Sequence, residues 1–166
     1  MWLRLLTVGL ILAAACTRAP ARDPAVVQDT LDYVGKIKDW EPVEAEVLRA
    51  IRDVERSQYV DDDYVVATLG SVMGDVELHL EEVGRYRPRT AAVIEVHERY
   101  RTAWRDLHAS FQSIIQAMEH KDYLALSRGT ESMKRSRAEL IAVAAALNLL
   151  LKETGLKEAP AGPSES

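Results

Sequence analysis

The chain of 166 residues contains a single cysteine, one phenylalanine and only 6% aromatic residues. One cysteine cannot form an internal disulfide, and it excludes Cys-x-x-Cys zinc sites and haem-attachment motifs, which need two thiols. Basic residues are fewer than acidic ones, 21 against 26, which argues against a nucleic-acid-binding protein, because such a protein needs a basic surface. The composition therefore indicates one small, acidic globular domain.

Long apolar runs are also scarce. The run near the N-terminus covers only residues 5–15, well short of the ~20 residues that a membrane-spanning helix needs. It follows Arg4 and ends in small residues, which is the charged start, apolar centre and cleavage site of a secretory signal peptide. We interpret residues 1–15 as a signal peptide that is removed.

The run ends in Ala13-Ala14-Ala15-Cys16, which resembles the lipobox of bacterial lipoproteins. The resemblance implies that Cys16 becomes the first residue and is acylated, and Thr17 in place of aspartate implies the outer membrane. Several acyl chains anchor a protein stably to a bilayer. Ala13 departs from the family pattern, which usually has leucine there, and cleavage by an ordinary signal peptidase after Ala15 would instead release a soluble protein with a lone thiol.

Helical periodicity runs through the rest of the chain, and no segment shows the alternation of a strand. The pattern predicts helices over 24–38 and 42–57, separated at Trp40-Glu41-Pro42, and three more that begin near Asp61, Thr90 and Asp122, the last ending at Gly155. Short connections favour antiparallel neighbours. We therefore predict an all-α fold, an elongated up-and-down four-helix bundle over 24–156 whose first leg is kinked near Pro42, with a linker at 16–23 and a disordered tail at 157–166.

Apolar residues at spacings of three, four and seven define the predicted core. The fifth predicted helix is apolar on nearly every face from Leu140 to Leu151, which favours a central leg contacted from two sides. The predicted core residues are Val27, Leu31, Val34, Val47, Ile51, Val54, Val65, Leu69, Val72, Val76, Val83, Val93, Tyr100, Trp104, Leu107, Phe111, Ile114, Met118, Leu126, Gly129, Met133, Ser136, Leu140, Val143, Leu147 and Leu150.

Two histidines form the one candidate metal or ligand site. A turn centred on Pro88 would place His79 level with His97, and Asp75 and Glu82 lie on the same helix face as His79. Two imidazoles and a carboxylate are a possible set of zinc or copper ligands or a pH sensor. The competing interpretation is that Leu80 and Val96 take the core positions, which would leave both histidines partly exposed and without function.

Three arginines mark a second candidate surface. Residues 41–83 hold twelve acidic and three basic residues, whereas residues 84–137 hold eleven basic and six acidic ones. Solvated helix faces and pairing between helices explain most such runs. Arg85, Arg87 and Arg89 at a loop tip are nevertheless a candidate contact for an envelope protein or an acidic envelope ligand.

Motifs for catalysis are missing from the sequence. None of the four histidines stands in a Glu-x-x-His or His-Glu-x-x-His motif, and no serine stands in a Gly-x-Ser-x-Gly elbow. We therefore predict a protein that is not an enzyme and has no cofactor: a lipid-anchored periplasmic module with a structural or protein-interaction role. A small-ligand or metal-binding bundle that uses the His79 and His97 end of the hairpin is the alternative.

Overall fold

Four long helices make up the protein. The structure, a computed structural model, describes residues 23–56 and 61–156, of which 91% are helical, with no strand among them. The predicted all-α four-helix bundle is therefore confirmed. The predicted signal peptide, residues 16–22 of the predicted linker and the predicted tail lie outside the described residues. The helices are α1 (Pro24–Arg56), α2 (Asp62–Arg85), α3 (Ala91–Glu119) and α4 (Tyr123–Thr154).

Each helix packs on the next one in the chain. The contact of α3 with α4 is the most extensive, α2 packs on the other side of α3, and α1 lies mainly on α2 with smaller contacts to α3 and α4. Among the described residues α2 and α4 do not touch. Helix α4 therefore packs on α3 and, less extensively, on α1.

The first leg is a single helix, so the predicted break into two helices at Trp40-Glu41-Pro42 is wrong. Helix α1 runs through Pro42, which lies exposed in its interior. A proline there removes one backbone hydrogen bond. Trp40 and Val47, on either side of it, are 3% and 0% exposed. Their burial against the same core holds the helix together across the proline.

The predicted core is confirmed in α2 and α3, where every predicted position is buried or, for Met118, partly buried. The predicted face of the first segment is wrong, because Leu31 is 45% exposed while Thr30 and Tyr33 are fully buried. Most of the positions of α1 that are buried or partly buried instead follow one alternation of four and three residues that passes through Pro42: Val26, Thr30, Tyr33, Ile37, Trp40, Glu44, Val47 and Ile51.

The helix ends agree with the sequence signals. Asp23 Oδ1 accepts a hydrogen bond from Ala25 N at 2.9 Å, and Asp122 caps α4 by accepting from Leu124 N and Ala125 N. Gly155 ends α4 in the left-handed region at φ 73°, as helix C-terminal glycines commonly do. Within the described ranges, no helix has both the length and the apolar composition needed to cross a membrane.

Helix α4 contacts two helices, as predicted, but one face of its apolar stretch is left uncovered. Helix α4 packs on α3 and touches α1, but Ile141 is 62% exposed and Leu149 is 57% exposed. The stretch from 140 to 151 thus supplies the core with Val143, Leu147, Leu150 and Leu151 and presents a second apolar face to solvent.

The contact of α3 with α4 depends on a small residue at position 129. A Cβ added to Gly129 would lie 2.9 Å from Ile114 Cγ1 and 3.3 Å from Ile114 N, whereas a Cβ added to Gly74 on α2 would meet nothing within 4 Å. We expect Gly129→Ala to lower the free energy of unfolding by roughly 1 kcal/mol or more, because the clash outweighs the gain in helix propensity. We expect the matched variant Gly74→Ala to raise it by about 1 kcal/mol. Urea denaturation checks both, and equal effects would contradict the close contact.

Candidate functional site

A buried aspartate of α1 binds the turn between α2 and α3. The Asp29 side chain is 1% exposed. Its Oδ2 accepts hydrogen bonds from Arg89 N at 2.9 Å, Thr90 N at 2.7 Å and Thr90 Oγ1 at 2.8 Å. Because these donors precede the first turn of α3, the carboxylate also lies at the positive end of the helix dipole. Asp29 therefore acts as the anionic cap at the start of α3. The Thr90 side chain does not cap the helix, because its hydroxyl donates to Asp29.

Arg89 completes this contact. Its Nε lies 3.5 Å from Asp29 Oδ1, and its Nη2 bonds the exposed Asp32. Burial alone would raise the pKa of Asp29, but the hydrogen bonds from Thr90 and Arg89 outweigh it, and the pKa is lowered. Asp29 is therefore held as a carboxylate.

All three arginines of the predicted surface are exposed, but each also bonds a group of its own chain. Arg89 is engaged with α1 through Asp29 and Asp32. Arg85 pairs with Glu81 on its own helix at 2.8 Å, and Arg87 donates to the carbonyl oxygens of Tyr86, at 2.8 Å, and of Gly84. Arg85 and Arg87 are exposed, and partner binding by them stays a prediction.

Next to this turn lies a cluster of aromatic and histidine rings, which we call the ring cluster. His79 contacts Trp104 at a centroid distance of 4.4 Å, and His97 contacts Tyr33 at 5.7 Å. Trp40 stacks on Tyr100 with an interplanar angle of 13°. Helices α1, α2 and α3 and the turn after α2 all contribute to it: Tyr33, Trp40, His79, Tyr86, His97, Tyr100 and Trp104.

Three of its polar groups form a hydrogen-bonded chain across three helices. His79 Nε2 lies 3.0 Å from Tyr100 Oη, and the Tyr100 hydroxyl donates to Glu44 Oε1. With the hydroxyl proton committed to Glu44, His79 donates from Nε2, which is the tautomer with a bare Nδ1. The chain therefore connects a carboxylate of α1 to an imidazole of α2 through a phenol of α3.

Burial shifts the pKa values of this chain. It lowers the pKa of His79 to about 4, because a charged imidazolium would be desolvated. Burial also raises the pKa of Glu44, an effect that the Tyr100 hydrogen bond partly offsets and Glu41 strengthens. The Tyr100 pKa lies well above its ordinary value, first through burial and then through Glu44. All three groups are thus shifted toward their neutral forms.

Four buried polar atoms of the ring cluster have no hydrogen-bond partner among the described residues. They are Tyr33 Oη, His79 Nδ1, His97 Nδ1 and Trp104 Nε1. The ring cluster is thus stabilised mainly by apolar and edge-to-face contacts.

The predicted metal ligands are not brought together. His79 and His97 are each 2% exposed, so the expectation of partly exposed histidines is wrong. Tyr33 and Trp40 of α1 cover the seam between α2 and α3 and bury both rings. Asp75 and Glu82 are exposed on α2, and in residues 23–56 and 61–156 no three His, Cys, Asp or Glu residues are placed to hold a metal ion.

An open groove of about 530 Å³ borders the ring cluster. Trp40 and Tyr86 supply its aromatic wall. Of the predicted metal ligands only Glu82 lines the groove, and of the three predicted arginine contacts only Arg85 does. The remaining lining residues are Lys36 and Asp39, which pair with each other at 2.9 Å. Neither histidine lines this groove, so a small molecule there would meet an aromatic wall and charged rims rather than imidazole.

The spacing of the predicted core residues already points to two polar positions that the predicted core left out. Spacings of seven from Val76 to Val83 and from Val93 to Tyr100 each skip one core position. Those positions are His79 and His97. Comparison of the chain with protein-family models, curated proteins and solved structures finds no match.

We expect Asp29→Asn to lower the free energy of unfolding by about 1–3 kcal/mol, because three donors at the start of α3 lose an anionic acceptor. The exposed Asp32→Asn is the matched control and should cost less than ~1 kcal/mol. Since the pKa of Asp29 is lowered, its stabilisation is present above the ordinary value of 3.8 and is lost as pH falls below it. Urea titrations at several pH values check this, and equal losses in both variants would contradict the cap.

His79 should make the protein less stable in mild acid. The unfolded chain binds a proton near pH 6.5, whereas the folded protein does so only near pH 4, so the free energy of unfolding falls as pH drops from 6.5 to 4. The full effect is about 3 kcal/mol. His79→Gln keeps a donor for Tyr100 without the titration and should reduce this slope. An unchanged slope from pH 7 to 4 would show that His79 titrates normally.

Proposed function

We propose that the protein is a bacterial envelope lipoprotein, anchored by acyl chains on Cys16 in the outer membrane and facing the periplasm, whose bundle is a non-catalytic structural or protein-interaction module. The observation that carries this proposal is Cys16 itself, the chain's one cysteine, placed directly after an apolar run that ends in three alanines. A thiol that has no disulfide partner in the chain is suited to serve as the attachment point for acyl chains.

The position of α1 supports a bundle that lies close to the membrane. Helix α1 begins at Pro24, eight residues after Cys16, and an extended chain of that length reaches at most ~28 Å. Asp29, about one and a half turns further on, contacts the turn before α3. The end of the bundle that carries this turn is therefore the end nearest the anchor.

A non-catalytic role is supported by how the polar groups of the interior are used. Asp29 caps α3, and His79 is bonded to Tyr100. Neither of them lines the groove beside the ring cluster. Of the described groups with shifted pKa values, only Tyr86, whose pKa burial raises, lines this groove.

The anchor can be tested directly on the mature N-terminus. We expect mass spectrometry of protein purified from membranes to give a first residue at Cys16 that carries acyl chains. Cys16→Ser should shift the protein from the membrane to the soluble fraction, whereas Thr17→Ser should leave it on the membrane. An unmodified Cys16, or cleavage at another position, would overturn the proposal.

A further inference from the structure

The outer face of α4 carries an exposed apolar stripe near its C-terminal end. Eight large hydrophobic side chains are exposed among the described residues, and four of them lie on α4: Tyr123, Leu124, Ile141 and Leu149. Isolated exposed hydrophobic residues are common, but contiguous ones mark interaction sites. Ile141, Ala145 and Leu149 are four residues apart and form one stripe, with Ala138 and Lys152 continuing it at either end.

Charge is missing around the whole helix at this place. Residues 140–151 contain no Asp, Glu, Lys or Arg, although part of this stretch faces solvent. Residues 157–166 contain one lysine, two glutamates and two serines, and the other five are Ala, Pro and Gly. They offer no large apolar side chain to cover the stripe.

We propose that this stripe binds the same stripe of a second copy of the chain, with the two α4 helices antiparallel and Ala145 at the two-fold axis. A two-fold interface must match a surface to itself. In this register Ile141 of one copy meets Leu149 of the other, twice, and Ala145 meets Ala145. The small side chain at the axis permits close approach of the helices. This inference deepens the proposed interaction role by naming its partner.

The charges beyond the stripe favour this orientation. Arg137 and Glu153 stand eight residues before and after Ala145 and carry opposite charges. An antiparallel pair places each opposite the other, whereas a parallel pair would place like charges together. Arg137 bonds Glu55 of its own chain through Nη1 at 2.9 Å, so Glu153 of the second copy would join an existing ion pair.

The size of the stripe sets the strength of the pair. Two large side chains and a few alanines per copy bury less than the ~1,200 Å² that stable interfaces reach. The pair should therefore be weak in dilute solution. Confinement of both copies to one membrane raises their effective concentration, as linkage does for other weak contacts. A weak self-association therefore suits a protein that is confined to a membrane. The contact itself is made by α4 and does not require the acyl chains.

Cysteine cross-linking at high protein concentration, where a weak pair still forms, tests the register. The full chain with Cys16→Ser has no other cysteine, so Ala145→Cys adds a single thiol, and a disulfide needs its Cβ atoms about 3.8 Å apart. We expect about tenfold more disulfide-linked dimer from Ala145→Cys than from Ala67→Cys, an equally placed exposed alanine on α2. Adding Leu149→Glu should abolish the excess, and adding Leu78→Glu, also on an exposed leucine, should not.

Equal cross-linking at positions 145 and 67 would overturn the proposal, as would an excess that survives Leu149→Glu. Flotation of the same Cys16→Ser chain with phosphatidylethanolamine and phosphatidylglycerol vesicles provides a second readout. Binding that Leu149→Glu removes would assign the stripe to the lipid surface and overturn the dimer, whereas no binding agrees with it. Because Cys16 is absent from these proteins, the outcome is independent of whether the natural chain is acylated.

Discussion

The arrangement of the bundle depends on one carboxylate. Asp29 is the only charged side chain among the fully buried residues described, and it is held by two backbone amides and a hydroxyl at the start of α3. A buried carboxylate is tolerated only where donors replace its water. Since these donors exist only before the first turn of α3, α1 can satisfy Asp29 in only one axial position. That position fixes which residues of α1 meet α2 and α3 further along.

Fifteen residues after Asp29, the same helix places Glu44 at a core position, where it accepts from Tyr100. If α1 were shifted along its axis by one turn, the Tyr100 hydroxyl would no longer reach Glu44. Burial of the carboxylate without that donor would then lower the free energy of unfolding. His79 and His97 occupy the equivalent positions of α2 and α3, beside Trp40 and Tyr33 of α1. These polar residues specify the alignment of three helices, a role that purely apolar residues, which slide past one another readily, perform less well.

The helices, their ends and most of the apolar core follow from local chemistry, so they could be predicted: Pro24, Asp122 and Gly155 act within their own turns. The continuity of α1 across Pro42 could not be predicted, because it depends on the burial of Trp40 and Val47 by other helices. The same limitation applies to His79 and His97. Position 79 continues the alternation of α2 perfectly, but whether a histidine takes a core position depends on the aromatic cover supplied by α1, which no local pattern contains.

Helix α4 contacts α3 extensively and α1 much less. Helix α1 places its aromatic side chains over the seam between α2 and α3, where they cover the histidines. Its contact with α4 includes the ion pair of Glu55 with Arg137. Contiguous exposed apolar side chains are typical of interaction sites, and residues 140–151 contain no charged residue. The outer stripe of α4 therefore carries the proposed contact with a second copy.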